Sequence, residues 1–154
     1  MKVIDSRDAK STFTIGLVVS RFNLEISKML LDGALGRLKE AGFSENQITV
    51  CWVPGAFEIP ITAQRLAQQG VFEAVICLGS VIKGETDHYE HICTSVTQGC
   101  QQVAITNDIP IVFGVLTTHT EQQARERAGG KEGNKGRSAA ETAIEMVVSL
   151  RQIG

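Results

Sequence analysis

The chain has 154 residues, with 15 Lys and Arg against 17 Asp and Glu, 43% hydrophobic and 21% charged residues. That length supports one self-sufficient core without a disulfide or metal staple, and the composition excludes a disordered chain. A net charge of −2 and a pI near 5.9 argue against a nucleic-acid backbone as partner, and no apolar run approaches the ~20 residues needed to span a bilayer.

Strand and helix periodicities alternate along the chain. Met1 to Ser11 carries Asp5, Arg7, Asp8 and Lys10 and lacks a signal peptide's apolar segment, so a cytoplasmic protein is expected. Residues 12–20 form a β-rich apolar run. From 23 to 42 the apolar Leu24, Leu31, Ala34, Leu35, Leu38 and Ala41 recur at helical spacing, and Gly42 fits a helix stop. Residues 47–53 read as a second strand. A helix follows over 56–69, where Pro60 falls in the early turns and can mark its true start. Residues 72–79 form a third strand, and Ile92, Val96, Cys100 and Val103 carry a helix that ends near Asn107. A fourth strand covers 111–116, then two helices at 121–128 and 138–151 flank a glycine-rich loop.

This alternation predicts one α/β domain over 1–154, a three-layer α/β/α sandwich on a four-stranded, mainly parallel, flavodoxin-like sheet. Near-continuous apolar strands such as AVICLG agree, because strands covered on both faces need not alternate. A slight apolar excess over ordinary domains fits an oligomer. Cys51, Cys77, Cys93 and Cys100 contain no Cys-x-x-Cys pair. The rise from Cys93 to Cys100 along a helix is ~10 Å, too far for a disulfide, so four reduced structural thiols are expected.

Parallel α/β sheets bind ligands beyond the carboxyl ends of their strands. Those ends lead into Ser20–Asn23, Pro54–Glu58, Ser80–His88 and Thr117–His119. In the third loop, Thr86 or Asp87 is a plausible helix N-cap, Gly84 allows close backbone approach, and the exposed N–H groups favour an anion. His88 falls in the first turn, where an imidazole exchanges protons near neutral pH. A capped helix with a surface histidine fits these residues equally well. His88 and His91 lie three apart, but the zinc-protease spacing is absent and no metal site is expected.

Arg125, Arg127, Lys131 and Lys135 crowd the segment RERAGGKEGNKG. It is no Walker A, since Asn134 precedes Lys135 and Gly136 follows, and no dinucleotide Gly-x-Gly-x-x-Gly occurs, so neither cofactor is implied. A cationic loop suits a small phosphorylated ligand, with Arg127 best placed for bidentate contact; a solvated connection between helices is the bland alternative. Phe22 and Phe57 stand in loops and can sandwich a flat heterocycle whose edge meets Glu58 and the Ile82 backbone, or else pack beneath the loops. Phe113 and Trp52 sit within strands, where core packing is the default.

The segments Ser20–Asn23, Val53–Pro60, Gly79–Tyr89, Phe113–Thr117, Glu126–Gly129 and Gly133–Gly136 together resemble, in order, the 6,7-dimethyl-8-ribityllumazine synthase family of riboflavin biosynthesis. The resemblance covers nearly the whole chain. It implies condensation of 5-amino-6-ribitylaminouracil with 3,4-dihydroxy-2-butanone 4-phosphate, releasing phosphate and water, without metal or redox cofactor. It implies that Phe22 stacks on the pyrimidine and that Ala56, Phe57 and Glu58 hold its ribityl chain and edge. Ser80, Val81 and Ile82 then line the ring site, and Phe113 comes from a neighbouring subunit. Glu85 and Thr86 mark a phosphate nest faced by Arg127, Lys135 lies near the phosphate end, and His88 transfers protons. Lys83, Arg125 and His91 depart from the commonest family pattern. The resemblance also implies pentamers. With no extra residues between Ala128 and Gly136, twelve of them are expected to form a sixty-subunit shell that leaves room for association with riboflavin synthase.

Three rivals belong to other classes or roles. A flavodoxin-like electron carrier needs a Ser/Thr-rich loop after the first strand, which Ser20-Arg21-Phe22-Asn23 is not. A phospho-receiver domain needs acids where Ser20 and Ser80 stand. A non-catalytic flavin-binding or shell-forming member of the same family stays open from the sequence.

Overall fold

The computed structural model describes residues 1–154. Four strands, β1 (Ile15–Ser20), β2 (Ile48–Val53), β3 (Ala74–Ile82) and β4 (Ile111–Thr118), form a parallel sheet in the order β2-β1-β3-β4. The helices are α1 (Leu24–Glu40), α2 (Ile59–Ala67), α3 (His88–Asn107), α4 (Glu121–Glu126) and α5 (Lys135–Ile153). Between α4 and α5 lies a two-stranded antiparallel ribbon, β5 (Ala128–Gly130) with β6 (Gly133–Asn134). The expected three-layer architecture is present, and the main sheet is wholly parallel.

Strand order explains which helix takes which face. The chain steps from β1 to β2 in one direction, then back past β1 to β3 and on to β4. Right-handed crossovers therefore put α1 on one face and α2 and α3 on the other. The core divides accordingly. Ile15, Leu17, Val19, Ile76 and Leu78 pack with Leu30, Ala34 and Leu38 of α1 and Ala140, Ala143 and Ile144 of α5. Val18, Val75 and Cys77 pack with Ile59, Ala63 and Leu66 of α2 and Val96, Cys100 and Val103 of α3. The central β1 is buried at all six positions, as its continuous apolar run requires, whereas β2 at the edge is only half-buried.

Several local expectations are corrected. β3 runs three residues beyond Gly79, and β4 two beyond Leu116, because Gly79 to Ile82 pair with Val115 to Thr118. Ser80, Val81 and Ile82 are thus strand residues at the rim rather than loop residues. The glycine-rich loop is the β5–β6 ribbon, with Gly129 and Gly133 at φ of 113° and 82°. α5 begins at Lys135, three residues early, because the Asn134 side-chain Oδ1 caps it by accepting from the Arg137 N–H at 3.1 Å. Trp52 and Phe113 lie on edge strands, half-buried, and pack against the two core clusters from their margins rather than from within. Residues 56–58 form a single 3₁₀ turn, and Pro60 sits in the first turn of α2, where its missing N–H costs nothing.

Arg125, unusual by the family resemblance, has a structural role. It bridges Glu25 of α1 at 2.6 Å and Glu121 of α4 at 2.8 Å, and the guanidinium holds the Glu25 carboxyl below its usual range. His91 is exposed on α3, and the four cysteines are unbonded. No helix is long and apolar enough to cross a membrane.

Candidate active site

The sheet reverses its winding direction beside β1, and a concavity of about 590 Å³ opens there, at the carboxyl ends of β1, β2 and β3. Three connections build it. After β1, the Arg21 N–H donates to the Val53 carbonyl at 2.8 Å and the Phe22 N–H to that of Pro54 at 3.2 Å, which ties the loop to the end of β2. Asn23 then takes a left-handed φ of 56°, and its side-chain amide donates to the Ser80 carbonyl at 2.8 Å. Asn23 therefore anchors the loop to β3 rather than capping α1. These three bonds present the Phe22 ring outward, 69% exposed.

After β2, Gly55 leads into the 3₁₀ turn. Ala56 is buried there, while the Phe57 ring stands 59% exposed. Glu58 faces the concavity, and its carbonyl accepts from the Thr62 hydroxyl at 3.0 Å. A Cβ on Gly55 would come within 3.3 Å of a Glu58 carboxylate oxygen, so the glycine leaves that side chain its room. Exposure removes the packing alternative for both phenylalanines, because neither ring is used to fill the core.

The third wall is the end of β3 and the start of α3. Ser80, Val81 and Ile82 line it with Gly84, Thr86, His88, Tyr89 and Ile92. The His88 N–H faces the Thr86 hydroxyl at 3.4 Å, and Asp87 holds the N-cap position without a side-chain bond. The Ser80 hydroxyl is buried without a partner. By strand alternation its side chain falls with Ile76 and Leu78 on the α1 face, so Ser80 offers the concavity its backbone. Glu85 is exposed and lies outside this lining.

Tyr89 and Ile92 escaped the sequence reading. The signal for Ile92 was available, since it follows His88 by four residues and shares its helical face. Tyr89 is half-buried, and burial followed by the neighbouring Cys93 thiol pushes its phenol up from the usual value. Its ring meets His119 edge-on, with centroids 6.2 Å apart.

Phe113, Arg127 and Lys135 do not join this concavity. They line a second one of about 510 Å³ along the outer edge of β4, with the β5–β6 ribbon and the start of α5. The two share no lining residue. Arg127 therefore does not face the Thr86 nest within one chain. β4 is an edge strand, and the ribbon that follows it lies beyond that edge. Within the second concavity the Arg127 Nη1 donates to the Gln123 carbonyl at 3.0 Å and lies 3.7 Å from Glu126. The Lys135 N–H donates to the Arg127 carbonyl at 2.8 Å, which ties together the two backbone positions that line this concavity.

A parallel sheet with an aromatic-rimmed cleft at its switch point and a separate cationic concavity at its edge defines a flavodoxin-like α/β protein shaped to bind small ligands. A family model described as 6,7-dimethyl-8-ribityllumazine synthase matches residues 12–151. Two proteins named 6,7-dimethyl-8-ribityllumazine synthase, from Coxiella burnetii strains CbuG_Q212 and RSA 493 / Nine Mile phase I, are each 51% identical over 144 residues. That alignment covers 94% of this chain and 95% of each relative; the protein of the same name from strain Dugway 5J108-111 is 50% identical over the same share. The chain belongs to the 6,7-dimethyl-8-ribityllumazine synthase family.

Proposed function

We propose that the chain condenses 5-amino-6-ribitylaminouracil with 3,4-dihydroxy-2-butanone 4-phosphate in a site that two copies complete together. As a family member it is a transferase of riboflavin biosynthesis. The switch-point concavity of one copy takes the pyrimidine, and the β4-edge concavity of a neighbour takes the phosphate end. The observation that carries this reading is the division of the candidate residues. Phe22, Ala56, Phe57, Glu58, Val81, Ile82, Thr86 and His88 face one concavity, while Phe113, Arg127 and Lys135 face the other.

The chemistry fits that division. The uracil's amine adds to the butanone carbonyl and loses a first water as an imine. Phosphate is eliminated to leave an enol that becomes a ketone, and the ribitylamino nitrogen adds to that ketone and a second water leaves as the ring closes. Each step needs orientation and proton movement. Phe22 and Phe57 orient the flat ring, Glu58 accepts from its polar edge or ribityl chain, and the Ser80 and Ile82 backbone holds the rim. Holding both reactants together can supply up to ~7–11 kcal/mol of the barrier in favourable systems. His88 moves protons at the reacting amine, and Arg127 with Lys135 takes the phosphate oxygens, with Thr86 and the Glu85 backbone completing that end.

Mixing two inactive-side variants tests the shared site. Arg127→Ala alone should lower kcat/KM for the phosphorylated substrate about 10- to 100-fold, the worth of one charge-assisted hydrogen bond. When His88→Ala and Arg127→Ala chains are unfolded together and refolded, about one site in four should combine two intact halves by random mixing. Activity well above either parent, followed by lumazine fluorescence, is the expected result. A mixture no better than the average of its parents overturns the two-copy site, and no lumazine from the unaltered protein overturns the catalytic reading in favour of a non-catalytic flavin-binding or shell-forming member.

Phe22→Ala should raise KM for the uracil substrate about three- to tenfold, the worth of an aromatic contact, with thermal stability unchanged because the ring is 69% exposed. A fall in melting temperature instead would return Phe22 to a packing role.

A closed five-fold ring satisfies a head-to-tail contact between two different surfaces, and the short β5–β6 ribbon supports the further step to a sixty-subunit shell. Sedimentation showing only pentamers overturns the shell. Riboflavin synthase is the natural guest of such a shell, and a cytoplasmic location completes the reading.

A further inference from the structure

The β4-edge concavity contains a group that an oxyanion site does not call for. Glu132 lines it together with Arg127 and Lys135. The ribbon puts it there: the Glu132 N–H donates to the Glu126 carbonyl at 2.9 Å, while the Lys135 N–H donates to the Arg127 carbonyl at 2.8 Å. Glu132 is exposed and forms no ion pair. The neighbouring carboxylate, Glu126, is the one that sits against Arg127 at 3.7 Å and Lys131 at 3.5 Å. Lys135 is likewise free of any ion pair. The concavity thus holds two cations and one unneutralised anion, all three within one small, partly enclosed volume.

We infer that Glu132 sets how loosely this concavity holds phosphate, so that the released ion leaves the site quickly. This rests on the reading that Arg127 and Lys135 take the phosphate end of the substrate. A phosphate in contact with both cations brings its charge close to the Glu132 carboxylate, and like charges in a partly desolvated pocket repel more strongly than in open water. Substrate and product phosphate both meet that repulsion. The substrate, though, is also held by its carbonyl end and by the stacked uracil, whereas the free ion is held at the phosphate end alone. Glu132 therefore weakens both by a similar factor, which the substrate's other contacts absorb and which speeds departure of the free ion. A neutral residue at 132 would leave Lys135 without an opposing charge in the concavity, beside an Arg127 that only Glu126 faces, and a slower-leaving product.

Inhibition of the assembled enzyme by inorganic phosphate tests the inference, measured for the unaltered protein, Glu132→Gln, Glu132→Asp and Arg127→Ala at low and high ionic strength. Glu132→Gln should tighten phosphate inhibition about three- to tenfold at low ionic strength, with a smaller effect as salt screens the carboxylate. Glu132→Asp, which keeps the charge, should stay close to the unaltered protein. Arg127→Ala should weaken inhibition. If Glu132→Gln matches the unaltered protein while Arg127→Ala weakens inhibition, Glu132 has no such role and the phosphate site stands. If Arg127→Ala also leaves inhibition unchanged, the phosphate reading of the concavity fails, and this inference with it. A salt-independent effect of Glu132→Gln equally overturns the electrostatic account.

Discussion

His88→Ala lowers kcat about 10²-fold and still leaves turnover above the uncatalysed reaction. The expectation follows from where the structure puts the imidazole. His88 is the first residue of α3, exposed at the mouth of the switch-point concavity, with its backbone N–H turned to the Thr86 hydroxyl. No carboxylate pairs with it there to make it a strong base, and no buried network depends on it. A positioned general acid–base is worth ~10²–10⁴-fold, and an exposed one that water can partly replace belongs at the lower end. The larger share of the acceleration comes from holding the two reactants against each other, which the alanine variant keeps. Steady-state kinetics across pH would check this. The variant's rate should vary less with pH than that of the unaltered protein, while KM for each substrate moves little. Complete loss of activity in a correctly assembled variant would count against this division of labour between proximity and proton transfer.

The sequence carried the parts of this site that are local. Helical spacing of Leu31, Leu35 and Leu38 and the unbroken apolar run of AVICLG gave helix and strand directly, and with them the loops where Phe22, Phe57 and His88 stand. What it did not carry depends on partners far along the chain. Nothing local says that Ser80, Val81 and Ile82 continue the strand; they do so because Leu116, Thr117 and Thr118 pair with them. Asn23 shows in the sequence only as the start of a helical spacing, and only the fold brings its amide to Ser80, fifty-seven positions away. The position of Arg127 is the largest such case. Alternating strands and helices define layers but not strand order, and it is the order β2-β1-β3-β4 that leaves β4 and its ribbon at the edge. Within one chain, placing Arg127 opposite Thr86 would need them on one rim, and the topology puts them on two. The resemblance had assigned Phe113 to a neighbouring subunit, and in the structure Arg127 and Lys135 share its concavity.

The phosphate concavity depends in turn on a helix crossing that a single methyl group should break. Gly136, the second residue of α5, is buried against α1, where a Cβ would overlap the Leu30 carbonyl oxygen and lie 2.7 Å from its carbonyl carbon and 3.0 Å from its Cα. These are backbone atoms of a packed helix, so no rotamer change relieves the clash and the two helices must separate. Just before it, the Asn134 amide donates to the Met29 carbonyl at 3.0 Å, and Gly33 packs against the same side chain. The junction therefore fixes both the start of α5 and the direction of Lys135. Gly136→Ala should cost about 3 kcal/mol from overpacking, against a gain of no more than ~1 kcal/mol from helix propensity. At ~2–4 °C per kcal/mol for a chain of this size, the net loss should lower the melting temperature by about 4–8 °C. Gly36→Ala on α1 is the matched control, because a Cβ there meets nothing within 4 Å and only the propensity gain remains. Thermal melts at equal protein concentration should move the two variants in opposite directions. Equal shifts would mean that the crossing tolerates a methyl group and that the glycine is not what seats α5. If the crossing is the seat, Gly136→Ala at a temperature where it remains folded should also bind inorganic phosphate more weakly, since Lys135 moves with the first turn of its helix.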